Sequence, residues 1–561
     1  MPERTGCEEK HMEKNSDILF LGDRRAAEIA PILEKKFAGR YDPARYHIRC
    51  RTLTEEQSTA ALAEAAKTAL AGATTAVIAT GLGDLQRGIS AAEYEASLDE
   101  LCGIAKEAGA MGVLLTLPPQ KGAKAYNAAL RRVAEKYQMR IADVHGRWRH
   151  DFGRKALSAE QAAQFTAAVA APLIERTQML VLWQFNGRYA HCNYACPYCY
   201  VATSVNKGMH FQFDMEKWEE AFSRHFENQH TVFYFSYGEP MMASKFYDVL
   251  EMIGRHPRWE VKITSNVSAK LDRLLETRLA KEGRLNVNTS FHPTQIGIEP
   301  FLEKCDQLRA AGIEPSIVYV MYPEQMDDFE KIYMPRFREK GYRVHIRAFR
   351  GLYHGRKYPG ALSREQRNKT AKYMDEANLK YQLCEVNGLG RLSMLGVTHI
   401  LVDNEGKIEM CDSYVGDRRY GNLFDDRLAL DQEPKPFPGL VPLAAVDDIA
   451  DYIELDFKDL EGNNVNSYIE QGGVTFGENG EIIYPYEHVD FNDKQLRKEL
   501  TAVPKPYVPA WKFWLNPRWF CYHFVYSFLI KKYGKYIVAW FKGKFRLLRQ
   551  GKLKKENFWH S

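Results

Sequence analysis

The chain has no apolar run approaching the roughly 20 residues that a helix needs to cross a bilayer, so nothing in it reads as a membrane span. It is also poor in cysteine. Ten in 561 residues is too sparse for a disulfide scaffold. Acidic residues all but vanish at one end: from Lys505 onward, thirteen Lys and Arg meet a single acid, Glu556. That segment carries +12 of an overall +5, so residues 1–504 sum to −7. Met1–Ser16 is polar and charged and lacks the apolar core of a secretory signal. A reducing, cytoplasmic location is expected.

Three of the few cysteines stand together, in Cys192-Asn-Tyr-Ala-Cys196-Pro-Tyr198-Cys199. Clustered thiols point to a metal. Three thiolates can hold three irons of a [4Fe–4S] cube and leave the fourth iron open, which a metal needs if it is to bind substrate. A zinc knuckle or three unrelated thiols remain open on this spacing alone. Pro197 argues for a loop rather than a regular helix.

Upstream, strand-like runs at Asp17–Leu21, Thr75–Thr80, Gly112–Leu117 and Met139–Val144 alternate with helical patterns at Arg24–Phe37, Glu55–Ala71, Ala92–Ala108, Ala123–Tyr137 and Ala159–Leu173. This alternation predicts an α/β fold, a doubly wound parallel sheet over 17–178 after a polar tail, 1–16. The landmarks Leu19-Phe-Leu-Gly22-Asp23, Leu115-Thr-Leu-Pro-Pro119, Tyr126–Leu130, Asp143 and Asp151–Ser158 resemble the SGNH/GDSL hydrolases. Arg24 stands where that family has its serine nucleophile, Gly83 where it has the oxyanion-hole asparagine, and Arg154 where it has the histidine. A hydroxyl nucleophile needs a neighbouring base, so the resemblance implies a catalytically inactive domain that keeps a binding cleft. A flavodoxin-like domain is the rival reading.

Six further apolar runs follow. Met179–Phe185 leads into the cysteine loop, and Thr231–Ser236 ends in Tyr237-Gly238-Glu239-Pro240. Trp259–Thr264 ends in Ser265-Asn266, and Leu285–Ser290 in Phe291-His292. Pro315–Met321 and Arg343–Ala348 complete the set. With helical segments between them, they predict a partial (β/α)6 TIM-type barrel over 179–383, where strand ends carry the chemistry. The cysteine loop and the Gly-Glu-Pro strand end together resemble the radical S-adenosylmethionine (SAM) superfamily.

That resemblance implies a [4Fe–4S] cluster on Cys192, Cys196 and Cys199, with SAM on the open iron. It places Tyr198, Gly238, Glu239, Pro240, Ser265, Asn266 and Ser290 around SAM, and His292 as a further candidate. The implied chemistry is one-electron reductive cleavage of SAM to a 5′-deoxyadenosyl radical that abstracts a hydrogen from substrate. A flavodoxin or ferredoxin is the implied reductant.

Past residue 383, Thr398–Val402, a turn at 403–406 and Lys407–Cys411 read as a hairpin, followed by Tyr420-Gly-Asn-Leu423. This resembles the start of the SPASM extension, here 384–504, a small α+β unit. Cys384 and Cys411 are too few for the four thiolates of an auxiliary cluster. Glu433–Pro442 reads as a proline-rich linker. In 505–561 aromatics interleave with Lys and Arg, the composition of a segment lying on an anionic membrane. Nucleic acid is the less favoured polyanion, and packing on the body is the third reading.

The expected function is a radical SAM enzyme at the cytoplasmic membrane face, acting on a cell-envelope glycan or lipid-linked precursor. A peptide- or protein-modifying SPASM-type enzyme is one alternative. A membrane-docked scaffold with a structural or sensory cluster is another.

Overall fold

The computed structural model describes residues 15–40, 46–54, 58–185, 192–199, 214–354, 356–374, 379–386, 388–410, 420–439, 490–501 and 507–521, with short strand pairs at 453–454, 467–468, 475–476 and 482–483. Among the described residues, no helix is long and apolar enough to cross a membrane.

Five parallel strands form the first sheet: β1 (Asn15–Gly22), β2 (His47–Thr54), β3 (Thr75–Ala79), β4 (Met111–Leu115) and β5 (Arg140–Ala142), in the order β2-β1-β3-β4-β5. Alternate side chains of β1 feed two separate cores. Ile18 and Phe20 pack with the helices Arg24–Arg40 and Ala159–Glu175, and Leu19 and Leu21 with Thr59–Ala69, Ala91–Glu107 and Ala123–Tyr137. Helices on both faces bear out the α/β expectation. The edge strand β2 is the element that periodicity missed. Arg49 and Arg51 alternate with half-buried Ile48 and Cys50, so the strand shows no continuous apolar run. Gly22 is required where β1 ends: a Cβ there would sit 2.1 Å from the Ala79 carbonyl oxygen.

The second sheet contains β6 (Met179–Trp183), β7 (Thr231–Phe235), β8 (Trp259–Ser265), β9 (Leu285–Phe291), β10 (Ser316–Met321) and β11 (Val344–Ala348), parallel and in sequential order. The hairpin β12 (His399–Val402) and β13 (Ile408–Glu409) is present, and β12 pairs in parallel with β6. It therefore completes this sheet rather than starting a separate one.

Glu433–Pro442 is not a free linker in its described part. Lys435–Pro436 pairs with Leu392–Ser393, the Gln432 carbonyl accepts the Ile141 N–H at 2.6 Å, and Glu433 pairs with Arg131 at 2.9 Å. Proline favours extended backbone and tolerates an edge position, so the stretch becomes a strap onto the edge of the first sheet.

Candidate active site

Register decides which side chains share a face of the second sheet. Leu182, Tyr234, Lys262 and Asn286 stand side by side across four strands, and Asn288 and Ser290 continue that face along β9. Val318 and His345 extend it, with Arg347 further along β11. The opposite face holds Trp183, Phe233, Ile263 and Val287, all buried. Helices cover that apolar face, with Trp183 4.7 Å from Phe222 and Phe291 4.8 Å from Phe301 between ring centroids. The covered face is thus oily and the other is mostly polar.

The cysteine loop lies at the C-terminal ends of these strands. It is held from two sides. Toward the end of β8, Asn266 Nδ2 donates to Asn193 Oδ1 at 3.1 Å, and Asn193 Nδ2 donates to Ser268 Oγ at 3.0 Å. Toward the end of β9, the Ala195 N–H donates to Gln295 Oε1 at 3.1 Å, and the Tyr198 hydroxyl is 3.0 Å from His292 Nδ1. The Tyr198 ring also lies 5.0 Å from that of Tyr322. Within the loop, the Cys199 N–H closes a tight turn onto the Cys196 carbonyl at 3.1 Å.

The three thiols suit a cluster by their surroundings. Burial raises the Cys192 thiol, and the Tyr194 N–H at 3.4 Å and the Asn266 amide at 3.7 Å donate to its Sγ and pull toward a thiolate. Burial pushes the Cys196 thiol up to about 11, and the neighbouring Cys199 and Cys192 push it the same way, so the three feel one another. Bound iron reverses that preference, because a coordinating thiol is deprotonated outright. Among the described residues, no three His, Cys, Asp or Glu side chains converge on a single-ion site.

Next to the loop, Tyr237 and Gly238 both adopt left-handed backbone, φ 73° and 65°. Glycine takes that conformation without strain and tyrosine does not. The Glu239 side chain turns inward and is 1% exposed. Its carboxylate accepts from Ser265 Oγ at 2.8 Å, from the Asn266 N–H at 2.6 Å and from the Met241 N–H at 3.2 Å. Burial raises its pKa against the pull of these donors. Pro240 opens a single 3-10 turn, Pro240–Met242, behind it. Burial also lowers His292 to about 4, so it is neutral beside Tyr198.

The fold therefore brings Cys192, Cys196, Cys199, Tyr198, Gly238, Glu239, Pro240, Ser265 and Asn266 to neighbouring strand ends. Ser290, 9% exposed, sits one position short of the end of β9 on the polar face. Sequence reading overlooked Asn193, Ser268 and Gln295. Asn193 lies inside the cysteine motif, and that placement was the available signal.

In the first sheet, Arg24 at the expected nucleophile position is exposed. Arg25 turns inward instead. Its guanidinium donates to both oxygens of Asp23 at 2.9 Å and to the Thr80 carbonyl at 2.7 Å. Asp84 accepts from the Thr59 N–H at 3.1 Å and its hydroxyl at 2.7 Å. Asp23, Thr59, Thr80, Gly81 and Asp84 line a small cleft there.

Residues 188–334 match the Radical SAM superfamily. No curated protein matches the chain. Among solved structures, the chain is similar to "native anSMEcpe with bound AdoMet and Cp18Cys peptide" at 18% identity, covering 44% of this chain and 78% of that one, with a TM-score of 0.34. It is similar to SuiB of Streptococcus suis bound to S-adenosylmethionine at 13% identity, over 54% and 76%, TM-score 0.34. Its similarity to TesA is 19% identity over 28% and 98%, TM-score 0.25. The matched domain and its cysteine loop make the chain an enzyme of the radical SAM class. Enzymes of that class work with a [4Fe–4S] cluster and SAM.

Proposed function

We propose that Cys192, Cys196 and Cys199 hold the cluster and that the ends of β7, β8 and β9 hold SAM. The carrying observation is the tie between Asn266, Cys192 and Glu239, which joins the thiol loop to two strand ends. When bound, the cluster and SAM supply a carbon-centred oxidant that removes a hydrogen atom from substrate. Tyr237 and Gly238 turn the backbone at the end of β7, and Gly238 presents no side chain to the SAM ammonium. Glu239 holds that turn from within. Its part is positional, since its carboxylate is taken up by Ser265 and Asn266. Tyr198, braced by His292, orients the backbone that meets the adenine. Ser290 opens the polar face below. In this reading the six sequential strands form the partial barrel, and a small acidic protein such as flavodoxin delivers the electron.

The polar face favours a hydroxyl-bearing substrate over an apolar one, since buried polar groups need partners. A glycan or lipid-linked precursor fits it. Supporting an inactive SGNH-like first domain are Arg24, exposed at the nucleophile position, and the neighbouring Arg25, whose guanidinium takes up both oxygens of Asp23. The β12–β13 hairpin supports a SPASM-like extension, and Cys411 lies outside the described residues. The working place in this reading is the inner membrane surface, where the cationic segment 505–561 meets anionic lipid.

Anaerobic reconstitution tests the assignment. The loaded protein should be brown, give a cluster signal after dithionite and convert SAM to methionine and 5′-deoxyadenosine. A Cys196→Ala variant that kept both its iron and its SAM cleavage would sink it.

A further inference from the structure

Six large apolar side chains are exposed among the described residues: Met242, Ile332, Trp511, Trp514, Leu515 and Phe520. The last four fall within ten consecutive positions, at 58%, 43%, 71% and 37% exposure. They sit on two short helical turns, Ala510–Trp514, which Leu515 ends, and Pro517–Phe520, joined by Asn516, whose Oδ1 accepts the Trp519 N–H at 3.2 Å.

This platform is fastened from beneath. Trp519 is 4% exposed, and its Nε1 donates to the Pro438 carbonyl at 2.6 Å. The ring of Trp514 lies 5.2 Å and that of Phe513 5.8 Å from Trp519. Upstream, the Val508 N–H donates to the Gly390 carbonyl at 3.0 Å, and the Tyr507 ring lies 4.8 Å from His150. One tryptophan is used as an anchor, and its neighbours project outward from it.

A segment that merely packed on the body would turn its large apolar side chains inward, as Trp519 does. Exposed apolar clusters mark interaction sites, and charge identifies the partner. Lys512 lies among them and is exposed, and residues 505–561 carry +12 in the sequence. In a two-fold pair the segment would face its own cationic copy, so that like-to-like self-association is opposed. Nucleic acid would use the aromatic rings, but it offers nothing to Leu515, the most exposed of the four. Tryptophan and phenylalanine beside lysine and arginine match the headgroup zone of an anionic bilayer.

We propose that Trp511, Trp514, Leu515 and Phe520 form a wedge that enters the headgroup region of an anionic phospholipid surface. Exposed Lys512 meets the lipid phosphates, and the +12 that 505–561 carries in the sequence adds to the attraction. This deepens the membrane placement above and stands apart from the radical chemistry.

Flotation tests it with full-length reconstituted enzyme and vesicles of phosphatidylcholine, alone or mixed with phosphatidylglycerol. The enzyme should float with the mixed vesicles, and far less so in high salt. A Trp511→Ala/Trp514→Ala/Phe520→Ala variant should lose binding about tenfold or more, since each lost ring removes buried apolar area. Its iron content and SAM cleavage should be unchanged, which separates a failed wedge from a failed enzyme. Brominated lipid should quench tryptophan fluorescence in the wild type and much less in Trp511→Ser. Equal flotation of variant and wild type, no flotation of either, or release of the enzyme from vesicles by single-stranded DNA would each overturn the proposal.

Discussion

The Ser265 hydroxyl lies 2.8 Å from Oε1 of Glu239, and it joins the ends of two neighbouring strands through a carboxylate that solvent hardly reaches. A hydrogen bond to a charged group contributes about 1.5–3 kcal/mol, and an unmade one leaves a buried acceptor short. Ser265→Ala should therefore destabilise the fold by about that amount and weaken SAM binding. Urea unfolding and equilibrium dialysis of SAM measure the two effects.

Asn266 ties Cys192 Sγ to Asn193, and under the proposed assignment it acts on the cluster through that ligand. Loss of such outer partners typically costs about 10- to 100-fold in metal affinity or activity. Asn266→Ala should fall in that range for SAM cleavage. It should also move the cluster to a more negative reduction potential, since an N–H donor to sulfur stabilises the added electron. Potentiometric EPR reads that shift, which a purely structural role would leave unmoved.

Two buried histidines give stability a sign with pH. Burial lowers His292 to about 4. Burial, then Arg176, Lys262 and Arg140, hold His399 well below its ordinary value. A depressed histidine adds stability above its unfolded pKa of about 6.5 and loses it as pH falls below that value. Each should contribute a slope of up to about 1.4 kcal/mol per pH unit below 6.5. Urea midpoints between pH 7.5 and 5 should fall in the wild type and fall less steeply in His399→Gln.

Arg25 and Asp23 form a buried pair beside Arg24, the position at which the proposed SGNH-like domain would carry a nucleophile. Removing one partner of such a pair costs about 3–5 kcal/mol, whereas replacing both is often neutral. Arg25→Ala should lose stability in that range, and Arg25→Met/Asp23→Asn should recover most of it. Ester turnover should be absent from the wild type. Turnover abolished by changing Asp23 or His145 would reverse the inactive reading of that domain.

The sequence by itself determined what depends on neighbours along the chain. The spacing of Cys192, Cys196 and Cys199 pointed to a metal loop, because three thiols within eight residues need little help to converge. The Tyr237–Pro240 turn and the apolar runs behind it were legible for the same reason: strand periodicity and left-handed turns are local. The α/β class followed from the alternation of strand and helix.

Only the tertiary structure decided the contacts between residues far apart in sequence. Nothing in His399–Val402 says that it will lie parallel to β6, more than two hundred residues earlier, or that Gln432 will extend the edge beside Ile141. The sequence marks Ser265 and Asn266 as expected cofactor contacts, and only the fold adds that they hold Glu239 and reach the Cys192 thiol. Arg25 was hidden behind its neighbour Arg24. Which of two adjacent arginines faces inward depends on how the helix packs on its sheet, and only the folded chain sets that packing.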